Sequence, residues 1–299
     1  MISGSIVALV TPFHEDGSID YERTADLIEW HIANQSDGIL ILGTTGESAT
    51  LTPLEHEELA AFTVKAAAKR IPILAGVSSC CTKTAMEEAQ RFEELGVDAL
   101  LVITPYYNKT NYEGVIHHFH TIADAIHIPM ILYNIPGRTG MSLHEKAVGV
   151  LSKHPMICGI KEASGDIGYV TSIAQYVSED FALYSGNDDM IVPMLSLGAS
   201  GVISVLANLI PKEVHQLVMD YLDGDPASSK QAQLQYLPLI RSLFIEVNPI
   251  PIKAAMNLLH REVGGYRLPL YEMEERDLAI LQEQLVQFFP EVMQQPVAG

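Results

Sequence analysis

The sequence predicts an α/β protein: a closed (β/α)8 barrel of the TIM type followed by a helical C-terminal appendage. Three observations predict it. Eight short apolar runs alternate with helix-patterned segments at a spacing of roughly thirty residues, the rhythm of repeated strand–helix units. The runs are almost continuously apolar rather than alternating, as strands buried on both faces are. Conspicuous polar clusters follow directly after several runs, where a parallel barrel carries its site. A doubly wound sheet is the competing fold, but the Gly-rich fingerprint that such a sheet usually carries after its first strand does not follow Val10.

The strand runs are residues 5–11, 38–42, 72–77, 99–103, 130–133, 157–161, 181–185 and 201–204. The helical segments that follow them are 21–33, 53–69, 83–95, 112–125, 142–151, 167–176, 189–197 and 212–221. Gly224-Asp225-Pro226 then breaks the pattern. Residues 1–223 are assigned to the catalytic barrel and 224–299 to the appendage, with helical stretches at 227–244, 251–260 and 274–289.

Composition narrows the function classes. The chain has 299 residues, 48% hydrophobic, and a formal net charge of −19. That field repels nucleic acid and anionic membranes, and an anionic substrate would need local positive groups. Apolar stretches are short and broken by Gly or Pro, so no membrane span is expected. The segment Met1-Ile2-Ser3-Gly4-Ser5 has no basic run, so a cytoplasmic protein without a signal peptide is expected. The three cysteines, Cys80, Cys81 and Cys158, suit neither a disulfide framework nor CxxC spacing and read as reduced thiols. His117, His118 and His120 cluster on a helix of the outer ring, and no HExxH or CxxC spacing occurs, so no metal is expected.

The chemistry centres on Lys161, at the end of the sixth apolar run. A lysine where a buried strand emerges is desolvated, which lowers its pKa and frees the amine to attack a carbonyl. The protonated imine so formed with an α-keto acid is an electron sink. Tyr133, at the end of the fifth run, is placed to shuttle protons, and a neighbouring ammonium is expected to lower its pKa. Thr44 and Thr45, in Gly43-Thr44-Thr45-Gly46-Glu47, offer hydroxyls and main-chain amides to a carboxylate. Arg138, after a Pro-Gly turn, offers a second, bidentate carboxylate site. Tyr106 and Tyr107 form an adjacent aromatic pair on a loop, which points to an oligomer interface.

At these residues the chain resembles the dihydrodipicolinate synthases, a family of the pyruvate-dependent class I aldolase superfamily that includes N-acetylneuraminate lyase. The matching segments are GTTGESATL (43–51), TPYYN (104–108), YNIPGRTG (133–140), GIKEASG (159–165), GVISV (201–205) and NPIP (248–251). The resemblance implies that Lys161 binds pyruvate as the imine and that Tyr133, Thr44 and Tyr107 form a proton relay, with Tyr107 reaching into the partner subunit's site. It implies that Thr45 holds the pyruvate carboxylate and Arg138 the carboxylate of aspartate 4-semialdehyde. It implies that Gly186 and Ile203 shape the pocket through their main chains. A homotetramer of tight dimers without cofactor or metal also follows from it, as does a place in diaminopimelate and lysine biosynthesis.

Many members of that family are inhibited by lysine at an interface site. Ser48, Ala49, His56 and Tyr106 are as in the sensitive enzymes, whereas Pro53, Cys80 and Thr84 replace histidine, asparagine and glutamate. Lysine inhibition is therefore expected to be weak or absent, since a lost charge-assisted bond costs about 1.5–3 kcal/mol. Two other readings compete: another pyruvate-dependent aldolase or lyase acting on a sugar acid, and a non-catalytic keto-acid sensor. Arg138 suits a short acidic aldehyde, and a sensor has no need of a proton relay.

Overall fold

The computed structural model describes residues 2–293. Its eight strands are β1 (Gly4–Ala8), β2 (Gly38–Ile41), β3 (Ile73–Val77), β4 (Ala99–Ile103), β5 (Met130–Asn134), β6 (Ile157–Glu162), β7 (Ala182–Ser185) and β8 (Gly201–Ser204). All pairings are parallel and β8 returns to β1, so the sheet closes into a barrel. The outer helices are α1 (Tyr21–Ala33), α2 (Pro53–Ala67), α3 (Thr82–Leu95), α4 (Tyr112–Ala123), the short turn α5 (Pro136–Thr139), α6 (Glu145–Leu151), α7 (Ile167–Ala174), α8 (Ile191–Leu195) and α9 (Pro211–Leu222). The appendage contributes α10 (Pro226–Ser242), α11 (Ile250–Leu258), α12 (Glu275–Phe288) and α13 (Pro290–Met293). Residues 294–299 of the assigned appendage lie outside the described residues.

The period-2 geometry of strands explains why the runs are apolar throughout. Ile6, Ala8, Leu40, Leu74, Leu101, Ile131, Tyr133, Tyr184 and Ile203 fill the barrel interior. Val7, Ile39, Ile41, Ile73, Leu100, Leu132, Ile160, Leu183 and Val202 point outward into the layer under the helices. The same alternation sends Lys161 inward and Glu162 outward, because Ile160, just before Lys161, faces the helices. In the barrel register, Lys161 pairs with Tyr133 on one side and with Tyr184 on the other.

Helix starts follow their capping chemistry. Thr52 and Glu55 form a reciprocal capping box at α2, and Asp20, Asn111 and Asp166 cap α1, α4 and α7. Three elements differ most from the expected ranges. The first strand ends at Ala8 rather than residue 11, because Val10 N–H leaves the ladder and donates to Asn208 Oδ1 at 3.2 Å. The helix expected over 142–151 starts at Glu145, since Leu143 N–H is held by Asn134 Oδ1 at 2.9 Å and His144 caps the helix. The helix expected over 189–197 is a 3-10 turn over Asp188–Met190 followed by α8, and Gly198, at φ +90°, ends that segment.

Gly76 on β3 shows how tightly the second turn of the site is packed. A Cβ there would meet the Leu42 carbonyl oxygen at 2.2 Å and Gly43 N at 3.1 Å. Backbone cannot yield as a side chain does, so Gly76→Ala is expected to destabilise the fold by about 3 kcal/mol, read as a lower midpoint in denaturant unfolding.

Candidate active site

The C-terminal ends of the strands bring the expected residues to one place. A cavity of ≈ 70 Å³ is lined by Gly43, Thr44, Thr45, Tyr133, Arg138, Lys161 and Gly186, among others. That is room for a small acid of a few heavy atoms, given that a single water needs about 10–15 Å³ on the same measure. A second cavity of ≈ 260 Å³ shares Thr44, Arg138 and Asn248 with it and extends past Ser48, Ala49 and Tyr106. A small inner chamber thus joins a larger outer one, with Arg138 at the junction.

Lys161 is 6% exposed, and its Nζ lies 4.4 Å from the centre of the Tyr133 ring. Burial pulls its pKa down to about 7; Asp188 opposes this and Arg138 adds to it. Near neutral pH a large fraction of the amine is therefore unprotonated and nucleophilic. Asp188 is itself buried, and its carboxylate accepts from Ser204 Oγ at 2.5 Å and from Val205 and Leu206 N–H at 3.0 Å each. Those three bonds anchor the loop after β8 beside the lysine.

The strand that carries Lys161 is locked from outside. Glu162, buried on the helix side, accepts from Asn134 Nδ2 at 2.6 Å and from Ser164 N–H at 2.5 Å. Asn134 follows Tyr133 and Glu162 follows Lys161, so this one pair of side chains fixes the two reactive residues against each other.

Tyr133 departs from expectation. Its pKa is raised, to about 12, not lowered. Burial is the main cause; a hydrogen bond with Thr44 and the Arg138 charge only partly offset it. At the pH where a phenol titrates, a lysine with a pKa of about 7 is already neutral and cannot supply the field that would lower it. Tyr133 is therefore a neutral hydroxyl near pH 7, not a standing phenolate.

Gly186 sits where a side chain would crowd Ala163 and Lys161: a Cβ would lie 2.7 Å from Ala163 Cβ and 3.1 Å from Lys161 Cε. Its N–H donates to Glu162 O at 2.7 Å. Ile203 is fully buried in the barrel interior, while Val205, two residues on, lines the cavity. Arg138 projects from α5 and donates to Asn248 O at 2.7 Å. Tyr107 does not join these groups within one chain. It is 93% exposed, holds a left-handed backbone at φ +64°, and lies outside the cavity.

Sequence reasoning missed Asn248 as a site residue. It comes from the appendage, donates to Thr45 Oγ1 at 3.0 Å, and its Oδ1 is buried without a partner. It also missed Asp188. Asp188 ends the polar cluster Ser185-Gly186-Asn187-Asp188 after the seventh run and Asn248 opens the NPIP segment, but only the fold shows the contacts they make at the barrel mouth.

The residues near the expected regulatory site divide between two cavities. Ser48, Ala49 and Tyr106 line the outer chamber. His56 lines a separate cavity of ≈ 400 Å³ with Thr84, Glu87 and Glu88. Its Nδ1 pairs with Glu88 Oε1 at 2.6 Å and its Nε2 with Ser48 O at 3.0 Å. Burial opposes the charged ring, but Glu88 and the Ser48 carbonyl outweigh it, so the His56 pKa is raised. Among the described residues no group of three or more His, Cys, Asp or Glu is arranged to hold a metal ion. His118 instead is buried against Thr82 Oγ1 at 2.9 Å.

The pattern of the Dihydrodipicolinate synthetase family matches residues 1–288. A 4-hydroxy-tetrahydrodipicolinate synthase of Clostridium perfringens is 50% identical over 285 residues, 95% of this chain and 98% of that protein. Among solved structures, dihydrodipicolinate synthase from Aquifex aeolicus has a TM-score of 0.93 at 41% identity, covering 96% of this chain and 98% of that one. The chloride-inhibited enzyme from Acinetobacter baumannii, complexed with pyruvate, has a TM-score of 0.93 at 39% identity over 95% of this chain and 98% of that one. With its barrel, its buried lysine and a match across nearly its whole length, the chain belongs to the dihydrodipicolinate synthetase family.

Proposed function

We propose that the chain is a 4-hydroxy-tetrahydrodipicolinate synthase that condenses pyruvate with L-aspartate 4-semialdehyde through an imine on Lys161. The observation that carries this reading is a buried amine with a pKa of about 7, facing Tyr133, Thr44, Thr45 and Arg138 across a chamber sized for a small acid. The neutral amine adds to the pyruvate carbonyl, and Tyr133 and Thr44 relay the protons that turn the carbinolamine into an imine and water. The iminium withdraws electrons, the methyl group loses a proton, and the enamine carbon bonds to the aldehyde of the second substrate. The amino group of the condensed semialdehyde then adds to the iminium carbon, and the Lys161 nitrogen takes up a proton and leaves as the free amine, closing the ring. The iminium is the electron sink, so the reaction needs no cofactor or metal.

Thr45 hydroxyl and amide hold the pyruvate carboxylate, and Arg138, at the junction of the chambers, holds that of the semialdehyde. Gly186 and the β8 main chain around Ile203 form the floor. Tyr107 completes the relay from a neighbouring subunit; its exposure and its position outside its own cavity support that reading. A homotetramer built as a dimer of dimers in the cytoplasm, feeding diaminopimelate and lysine synthesis, is the assembly that suits this. No described helix is long and apolar enough to cross a membrane.

Borohydride added with pyruvate is expected to trap a covalent adduct on the peptide containing Lys161, and none in Lys161→Ala; an adduct elsewhere, or none in the unaltered protein, overturns the mechanism. Activity with semialdehyde and none with N-acetylneuraminate is the expected substrate profile. Arg138→Leu should lower kcat/KM for the semialdehyde by about 100-fold, the loss of a charge-assisted carboxylate bond, while pyruvate trapping half-saturates at nearly the same concentration. Equal losses for both substrates would assign Arg138 to the pyruvate site instead.

Lysine inhibition is expected to be weak or absent. Thr84 offers no carboxylate, and Glu88, which does line that cavity, is already paired with His56. A submillimolar inhibition constant in a steady-state assay would show that Glu87 or Glu88 takes over the role.

A further inference from the structure

The C-terminal appendage is joined to the Thr44–Thr45 loop by a charge pair shielded from water. Lys253 on α11 and Glu47 both have side chains with no exposure, and Nζ lies 2.9 Å from Glu47 Oε1. The ammonium also donates to Thr11 O at 3.0 Å and to Gly265 O, and it sits 4.3 Å over the Phe13 ring. Three oxygens thus use its three donors. The other Glu47 oxygen accepts from Arg267 N–H at 3.2 Å.

Glu47 is the residue that closes the loop. Its backbone is left-handed, at φ +55° and ψ +33°, a conformation an L side chain takes only when its surroundings impose it. Its N–H donates to Thr44 O at 3.2 Å, and Thr11 Oγ1 donates to Gly46 O at 2.7 Å. A displacement of Glu47 therefore moves Thr44 and Thr45 directly. Neither residue of the pair lines the inner chamber; Glu47 borders the outer one, but its side chain has no exposure.

We propose that Lys253 and Glu47 are positioning residues that hold the carboxylate-binding loop in register with Lys161, making the appendage a structural part of the keto-acid site. This rests on the reading that Lys161 forms an imine with a keto acid held by Thr45. A buried pair with merely structural work would be replaceable by neutral groups of similar shape without effect on binding.

The test compares Lys253→Met, Glu47→Gln and the double variant with the unaltered protein. The readouts are thermal midpoint and the pyruvate concentration that half-saturates borohydride trapping at Lys161. Lys253→Met is expected to raise that concentration about tenfold, the loss of one well-placed polar contact, with the maximal extent of trapping unchanged. The double variant, having no uncompensated charge, should recover thermal midpoint relative to Lys253→Met but keep the weakened half-saturation. If Lys253→Met does not fold, the double variant and Glu47→Gln carry the same comparison. Half-saturation within twofold of the unaltered protein in every folded variant overturns the proposal. Failure of the unaltered protein to trap pyruvate would instead overturn the imine mechanism.

Discussion

Burying the amine of Lys161 in the mouth of the barrel is the constraint around which the rest of the molecule is arranged. An ammonium there has lost its water, and only Asp188 opposes the loss with opposite charge. The barrel supplies what such a group requires: an inward position fixed by strand alternation, a dry wall of Ile, Leu and Tyr side chains beneath it, and a chamber just above it. The same dryness that makes the amine reactive makes Tyr133 a weaker acid. One environment therefore sets both proposed roles, nucleophile and neutral proton carrier.

Precision comes from contacts around the chamber. Glu162 and Asn134 tie β6 to β5 behind the reactive pair. Asp188 ties the β8 loop to the lysine side, and Asn248 ties Thr45 to the segment that accepts the Arg138 bond. These contacts are charged or amide groups with short bonds in low-dielectric surroundings, where a misplaced partner is costly. They restrict the reactive groups without occupying the space that substrate needs.

Much of this was legible in the sequence because strands buried on both faces leave an unmistakable apolar rhythm, and because a parallel barrel dictates which end of each strand is functional. Lys161, Tyr133, Thr44, Thr45, Arg138 and Gly186 could be read from that rule and do line one chamber. What escaped is of two kinds. The Tyr133 titration depends on whether its neighbour is charged, which is a property of burial rather than of spacing. Asn248, Asp188, Lys253 and Glu47 act through contacts such as the Lys253–Glu47 pair, formed between segments far apart in the chain, and no local pattern announces those. The ends of β1 and of α8 shifted for the same reason, since a side chain from another segment or a left-handed glycine decided where each stopped.

The claim that burial makes Lys161 a nucleophile is tested most directly by its titration. Brief acetylation with acetic anhydride between about pH 5 and pH 11, followed by peptide mass spectrometry, gives the reactivity of each lysine against pH. Lys161 is expected to show a midpoint near 7, well below the ordinary lysine value of about 10.4. A Lys161 midpoint that coincides with those of the surface lysines would contradict it.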